Sequence, residues 1–286
     1  MVAKSLGDRV FNAINHTFLI LVALVCVVPV LYVIAVSITP INEVMKNGGY
    51  VLIPQEISFA AYKELFTKDT IPRALMITLS LAIFGTFLNL VITALMAYPL
   101  SRKGLPGRGP LLLAVFFTML FSGGLIPTYL IVKETGLLNT YGALIVPALV
   151  GTFQLLVMKS FFETIPEELF ESARMDGAQE LKILYSIVLP LSVPALITVG
   201  LFYMVGHWNE IFRAIMYITN SELYPLQVVI RSMLIQSADF NQAEVVVPTM
   251  TLQMAAVMIA SIPVIVFYPF VQKHLTKGML IGAIKG

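Results

Sequence analysis

Six stretches of this chain carry no Asp, Glu, Lys or Arg and are long enough to cross a bilayer: residues 18–38, 74–100, 111–131, 141–158, 188–208 and 249–270. A helix needs about 20 predominantly apolar residues to cross a hydrocarbon core of roughly 30 Å. The runs do not alternate in segments of about 10 residues, as the strands of a membrane barrel do, so helices are expected. Only 12% of the 286 residues are charged, about half the share found in soluble domains. That excludes a soluble enzyme, a disordered chain and a nucleic-acid binder. The lone cysteine, Cys26, lies inside the first run and supports neither a disulfide framework nor a cysteine metal site.

Lys4 and Arg9 precede the first run, which is too long for a typical signal-peptide core and lacks a small-x-small cleavage site after it. It is read as a retained signal anchor. Cations then set the orientation. With the N-terminus inside, the inner segments hold Lys4, Arg9, Arg102, Lys103, Arg108, Lys159, Arg174, Lys182, Lys273, Lys277 and Lys285; the outer ones hold Lys46, Lys63, Lys68, Arg73, Lys133, Arg213 and Arg231. The turn SRKGLPGRGP, basic and free of acid, decides for the inside. The expected fold is an all-α polytopic membrane protein with both termini cytoplasmic. Residues 1–17 form an N-terminal tail, 18–270 a six-helix domain and 271–286 a C-terminal tail.

The runs hold no carboxylate or amine of the kind that marks proton relays or ion coupling, and no acid–base pair for hydrolysis. His16 and His274 sit at the inner edge and His207 at the outer end of the fifth run, too far apart to share a metal. No P-loop or H-E-x-x-H pattern occurs. No catalytic residue, metal site or cofactor is therefore expected, and uphill transport would need energy from another chain.

The informative loop is TIPEELFESARMDGAQELKILYSIVLPLSVPAL, residues 164–196. Thr164 and Glu167 have capping-box spacing, with Pro166 in the first turn. Glu167, Glu168 and Glu171 near that helix start suit its dipole. Leu169, Phe170, Ala173 and Met175 give apolar contacts at helical spacing. Asp176-Gly177 reads as a turn, and a second helix runs from near Gln179 to Val188, with Pro190 at its junction with the fifth run. Residues 163–180 hold Glu163, Glu167, Glu168, Glu171, Asp176 and Glu180 against Arg174 alone. Anionic lipid repels such a face, so a protein partner fits it better than the membrane surface.

Glu171-Ser172-Ala173, three residues, Gly177, nine residues, Ile187, one residue and Leu189-Pro190 resemble the E-A-A-x3-G-x9-I-x-L-P signature of binding-protein-dependent ABC importer permeases. Ser172 in place of the first Ala is the one departure. HWNEIFRAI at 207–215 and the ending FVQKHLTKGMLIGAIKG at 270–286 resemble MalG-like carbohydrate permeases. The opening DRVFNAINHTFLILVALVCVVPVLYVIAVS and FSGGLIPTYLIVKETGLLNTYGALIVPAL resemble the LplC/YtcP branch.

The resemblance implies the type I importer permease fold of six transmembrane helices, in a prokaryotic cytoplasmic membrane. It also implies import of an oligosaccharide such as a pectin- or alginate-type fragment. The loop at 163–187 becomes a coupling helix seated in an ATPase subunit, through Glu171, Ser172, Ala173, Asp176 and Gly177. The implied partners are a second, different permease, two ATPase subunits that hold ATP and Mg, an extracytoplasmic solute-binding protein and membrane lipid. The tail, with Lys277, Gly278 and Gly282, would contact the ATPase subunits. Pro225 can open an amphipathic helix through Leu226, Ile230, Met233 and Leu234, in a loop that would meet the binding protein. Asn89, Gln154, Trp208, Asn209 and Gln253 are candidates for the translocation path, although polar residues in spans, Thr93 included, also serve simply to bond neighbouring helices. Gly123-Gly124 beside Pro127 marks a break in the third run. A permease for a non-sugar solute would share the loop motif; the charge-free runs disfavour a free-standing secondary carrier, which would then have to hold its ion on backbone carbonyls.

Overall fold

The computed structural model describes residues 6–236 and 249–283, with 267–283 described as helix path alone. Every regular element among them is a helix. In chain order these are α1 (Leu6–Ser37), α2 (Ile41–Lys46), α3 (Ala60–Thr67), α4 (Thr70–Ser101), α5 (Arg108–Leu120), α6 (Leu125–Glu134), α7 (Gly142–Ala148) and α8 (Thr152–Phe162). They continue with α9 (Glu167–Met175), α10 (Glu180–Leu191), α11 (Val193–Trp208), α12 (Phe212–Tyr217), α13 (Leu226–Gln236) and α14 (Met250–Ala283).

Among the described residues α1, from Val10, and α4 are each long and apolar enough to cross a membrane unbroken. The runs at 111–131, 141–158 and 188–208 do not form single straight helices. The chain bends by 112° between α5 and α6, 53° between α7 and α8, and 85° between α10 and α11. The breaks follow the residues: Gly123-Gly124 ahead of Pro127, Gly151 after Pro147, and Ser192 between Pro190 and Pro194. Pro190 offers no N–H and crowds the carbonyl four residues back. A π turn at Leu184–Val188 takes up that misfit. α14 continues as helix past residue 270, beyond the end of the sixth apolar run, and α13 starts directly after Pro225.

The chain divides into two units, residues 1–71 with 230–263 and residues 72–229 with 264–286. In the first, Val36, Val44 and Val51 form a small core with Tyr32, Met250 and Met254 against it. The Tyr32 hydroxyl donates to the Gly49 carbonyl at 2.9 Å and the Tyr62 hydroxyl to Ser37 Oγ at 2.8 Å. The Glu43 carboxylate accepts the Gln55 and Glu56 N–H groups at 2.9 and 3.2 Å. These bonds fix the segment that leads from α1 to α3. The apolar flank of α1 from Val10 to Leu31 stays exposed, as lipid-facing side chains do.

The second unit is built along α4. Near its start Ile77 and Leu81 pack with Leu144, Ala214, Ile218 and Val228. At its far end Ala94, Ala97, Tyr98 and Leu100 join Leu155, Met158, Phe162, Val199 and Tyr203. Alanines let α4, α8 and α11 approach closely, the usual solution where lipid removes the hydrophobic drive for helix pairing. Asn139, at φ 58°, ties the start of α7 to the end of α12: its Oδ1 accepts from Thr219 N at 2.6 Å, Thr219 Oγ1 at 2.9 Å and Asn220 N at 3.1 Å.

Between the two clusters of α4 lies a polar layer. Asn89, fully buried, donates through Nδ2 to the carbonyls of Ala148 and Leu149 at 2.7 and 2.8 Å. Both amide hydrogens are then committed, so Oδ1 accepts, and His207 Nε2 is the donor at 2.8 Å. The Tyr203 hydroxyl accepts the Gly151 N–H at 2.9 Å and shares a 2.8 Å bond with Thr93 Oγ1. These side chains satisfy the backbone groups that the α7–α8 break gives up, without which irregular backbone is not tolerated at membrane depth. Gly85 makes room for the layer, because a Cβ there would lie 2.6 Å from His207 Nε2.

Asn89→Leu keeps the branched shape and leaves two buried carbonyls without a donor, at about 1–3 kcal/mol each. Its melting temperature in detergent should fall well below that of the unmutated chain. Thr93→Val should fall less, because Tyr203 keeps the Gly151 N–H. Equal melting of all three would show that the layer is not what holds the break.

Candidate functional site

The hairpin of α9 and α10 is the most polar body in the second unit. α9 begins at Glu167 with Pro166 as its N-cap residue and no side-chain cap. The expected capping box does not form: Thr164 Oγ1 donates instead to the Phe161 carbonyl at 2.7 Å. Helical backbone is disfavoured for the residue ahead of a proline, and α9 starts only after Pro166, whose ψ of 135° is extended. Glu167 and Glu168 occupy the first turn and Arg174 the last, in the sense the dipole favours.

α9 ends in a Schellman motif. The Gly177 N–H bonds the Arg174 carbonyl at 3.0 Å and the Ala178 N–H reaches the Ala173 carbonyl at 2.9 Å. Gly177 sits at φ +76° with open space where a Cβ would be. The position thus requires left-handed backbone rather than room, and that region disfavours L side chains. Gln179 then takes the N-cap position of α10 in extended backbone, without a side-chain cap.

One face of α9 is built into the protein. Phe170 is fully buried among Phe162, Ile165, Ile183 and Leu184, and Ala173 and Ala178 pack on the same cluster. The opposite face is open: Glu168, Glu171, Ser172, Met175, Asp176 and Gly177 are exposed, Met175 at 88%. Leu181 and Tyr185 continue the exposed apolar surface on α10. Of the five residues assigned to this contact from the sequence, Glu171, Ser172, Asp176 and Gly177 thus share the open side, and Ala173 lies half-buried behind them. Ser172 replaces the motif's Ala at little cost, since its hydroxyl bonds the Glu168 carbonyl at 2.8 Å.

Charged side chains brace the hairpin to the turn that follows α4. Arg102 donates to the Phe162 carbonyl at 3.1 Å, pairs with Glu167 at 3.3 Å, and stacks 3.6 Å from the centre of the Phe170 ring. Arg108 pairs with Glu163 and donates to the Leu100 carbonyl at 2.8 Å, while Lys159 reaches Glu163 at 2.9 Å. Arg174 bonds Glu180 at 2.9 Å, and the Tyr98 hydroxyl donates to the other Glu180 oxygen at 2.5 Å. A cleft of about 1320 Å³ opens between turn and hairpin, with Tyr98, Arg102, Glu167, Arg174 and Glu180 in its wall. Sequence reading used Arg102 and Arg108 only as markers of orientation. The acid excess of residues 163–180 facing the basic turn at 101–108 is the signal that would have paired them.

The remaining candidates are scattered. Asn89 belongs to the buried layer described above. Trp208 and Gln253 are buried as well, and Gln253 Nε2 donates to the Met233 carbonyl at 3.1 Å. Gln154 is half-buried and shares a cavity of about 340 Å³ with Tyr203, His207 and Arg213. Asn209 is exposed at the end of α11, where Nδ2 bonds the Val205 carbonyl at 3.0 Å. Glu210, buried, pairs with Arg213 and accepts its N–H at 3.0 Å, which starts α12. Within the HWNEIFRAI run, His207 thus holds Asn89 and Glu210 holds Arg213. His207, in the last turn of α11, is buried inside the packed unit. Lys277, Gly278 and Gly282 fall on the helix path of α14, and their side chains lie outside the described residues.

Residues 74–281 match the family described as "Binding-protein-dependent transport system inner membrane component". The chain is 43% identical to the polygalacturonan/rhamnogalacturonan transport system permease protein YtcP of Bacillus subtilis (strain 168), over 98% of this chain and 99% of that one. It is 42% identical to Protein LplC of the same organism, over 98% and 96%. Among solved structures it resembles a bacterial ABC transporter involved in the import of the acidic polysaccharide alginate. That likeness has a TM-score of 0.87 at 30% identity and covers 96% of this chain and 99% of the other.

The Tyr98 hydroxyl, and then Arg174, hold the Glu180 carboxyl below its ordinary 4.5, against the opposing effect of burial. A depressed carboxylate contributes stability that is present above its unfolded pKa and lost as pH falls through the folded one. Protease cleavage of the 163–187 loop in detergent should therefore rise as pH drops below 4.5, and Glu180→Gln should flatten that rise. A step of unchanged size in the variant would remove Glu180 from the brace.

Proposed function

The chain belongs to the family of binding-protein-dependent transport system inner membrane components, as a multi-pass permease rather than an enzyme, and from that premise we propose that it forms half of the translocation pathway of an ATP-driven oligosaccharide importer. The printed substrates of two similar proteins, polygalacturonan/rhamnogalacturonan and alginate, support a fragment of an acidic polysaccharide as the solute. In this reading six spans cross the membrane with both termini cytoplasmic. α1, α4, α14 and the three bent pairs supply them. A second, different permease encloses the other half of the path. Two ATPase subunits bind ATP and Mg beneath, and an extracytoplasmic binding protein delivers the sugar.

The observation that carries the reading is the hairpin itself. It is a rigid amphipathic lever, buried on one face, with an acidic rim around exposed Met175 and Leu181 on the other. A rigid element seated in a partner's cleft passes that partner's closure to the helices it is packed on, and alternating access follows as one body rocks against another. Glu171, Ser172, Asp176 and Gly177 meet the ATPase subunit, and Ala173 sets how closely the lever lies on its own core. The tail at Lys277, Gly278 and Gly282 reaches the same subunits. On the path, Gln154 and Asn209 are the polar candidates left open to a solute, because Asn89, Trp208 and Gln253 are buried.

Two measurements test this. Pull-down of the tagged chain from its native membrane in mild detergent should recover an ATPase, a second six-span chain and a binding protein, identified by mass. Recovery of this chain alone, under conditions that preserve known assemblies, would favour a free-standing carrier. Gly177→Asp forces a side chain and a charge into left-handed backbone at the rim. It should insert normally yet recover at least tenfold less ATPase subunit, and undiminished recovery would remove Gly177 from the contact.

A further inference from the structure

Five side chains close a ring at the root of the hairpin. Arg102 pairs with Glu167 at 3.3 Å, and Glu167 with Arg174 at 3.7 Å. Arg174 bonds Glu180 at 2.9 Å, Glu180 accepts the Tyr98 hydroxyl at 2.5 Å, and the Tyr98 ring lies 5.6 Å from the Arg102 guanidinium. Two members stand at the end of α4 and three on the hairpin. Arg102 is the most enclosed of the four charged members. Its side chain is 11% exposed, and its guanidinium lies flat on Phe170, itself fully buried. The edge donates to the Phe162 carbonyl, Glu167 and Ser101 Oγ.

This arrangement uses what is peculiar to arginine. A planar, weakly hydrated fork can stack on a ring and donate in several directions at once, whereas a lysine ammonium cannot do both. Desolvating a cation is expensive unless it is paired and fully bonded, so the charge is held only while α4, Phe170 and Glu167 keep this relation. The far side of the same helix segment matters too. About 20 Å along α4, at 1.5 Å per residue, Asn89 grips the carbonyls at the α7–α8 break.

We propose that Arg102 is the positioning residue that makes the α9–α10 hairpin and the end of α4 move as one body, so that a push on the hairpin is delivered through α4 to the broken α7–α8 helix. The inference rests on the importer reading above and adds the route of transmission. Arg102 touches neither nucleotide nor sugar in this scheme. It acts through Phe170 and Glu167, and its loss separates ATP hydrolysis from movement of the path.

The test uses the complete importer, reconstituted in liposomes with its partners and an oligogalacturonate as the transported probe. ATP hydrolysed and sugar imported are measured together. Arg102→Lys keeps the charge and loses the stack and the fork; it should lower import about tenfold while hydrolysis stays within about twofold, so the ratio of ATP to sugar rises. Phe170→Leu should raise that ratio likewise, and Phe170→Tyr, which keeps the ring face, should leave it as in the unmutated importer. A merely structural role lowers both activities in proportion to the complex that survives, with the ratio unchanged, and that result would overturn the proposal. So would an unchanged ratio in well-folded Arg102→Lys complex. If the unmutated importer hydrolyses ATP but moves no acidic or neutral oligosaccharide, it is the importer reading, not the role of Arg102, that fails.

Discussion

A helix that breaks inside a membrane exposes carbonyls and N–H groups to a solvent that cannot bond them, and the second unit depends on how that demand is met. Asn89 gives both amide hydrogens to the carbonyls of Ala148 and Leu149, and Tyr203 takes the N–H of Gly151. His207 and Thr93 complete the layer from α11 and α4. An unmet buried carbonyl costs about 1–3 kcal/mol, a large share of the stability of an ordinary domain. Because the layer's side chains come from both α4 and α11, the bent α7–α8 pair cannot straighten or shift without breaking bonds on both. The bend becomes a defined feature of the fold, not a weak point.

The same helix carries a second constraint at its other end. Phe170 and Ala173 bury one face of α9 in the cluster that also holds Leu100, Phe162 and Leu184, and the charged ring fixes the hairpin's orientation on that cluster. Apolar packing sets how near the hairpin lies; directional bonds from Arg102, Arg174 and Tyr98 set its angle. Individually, exposed ion pairs contribute about 0–1 kcal/mol. Arg102 differs because stacking and enclosure by Phe162, Phe170 and Glu167 remove it from water, and a buried charge that loses one partner is strongly destabilised. The rim of Glu171, Asp176 and Met175 stays exposed while the opposite face is packed on the core.

The amino-acid pattern made much of this legible. Apolar runs told of membrane helices; the spacing from Glu171 to Pro190 told of the hairpin and its family; Gly177 told of the turn, which the left-handed φ of +76° realises. Gly123-Gly124 told of a break in the third run. Other features were out of reach of local patterns. A capping box at Thr164 is a sequence regularity, and Pro166 overrides it through backbone sterics. His207 read as a residue at the end of a span, because nothing near it in sequence reveals Asn89 on another helix, 118 positions away. Arg102 likewise counted as one more positive charge until Phe170 and Glu167 were brought beneath it.

What the sequence by itself determined is whatever depends on composition and near neighbours: a helical membrane protein, the amphipathic hairpin, its left-handed turn, and the break at Gly123-Gly124. What only the tertiary structure decided is which polar groups answer one another across the helices. The apolar runs of 141–158 and 188–208 look alike on a hydropathy scale, yet they bend by different angles and find different partners. The physical reason is that hydrophobic burial is nearly indifferent to direction, whereas hydrogen bonds are directional and must be satisfied where water is absent. Asn89, Tyr203, His207 and Arg102 take their roles from positions far away in the chain, and those positions meet only once the helices have packed.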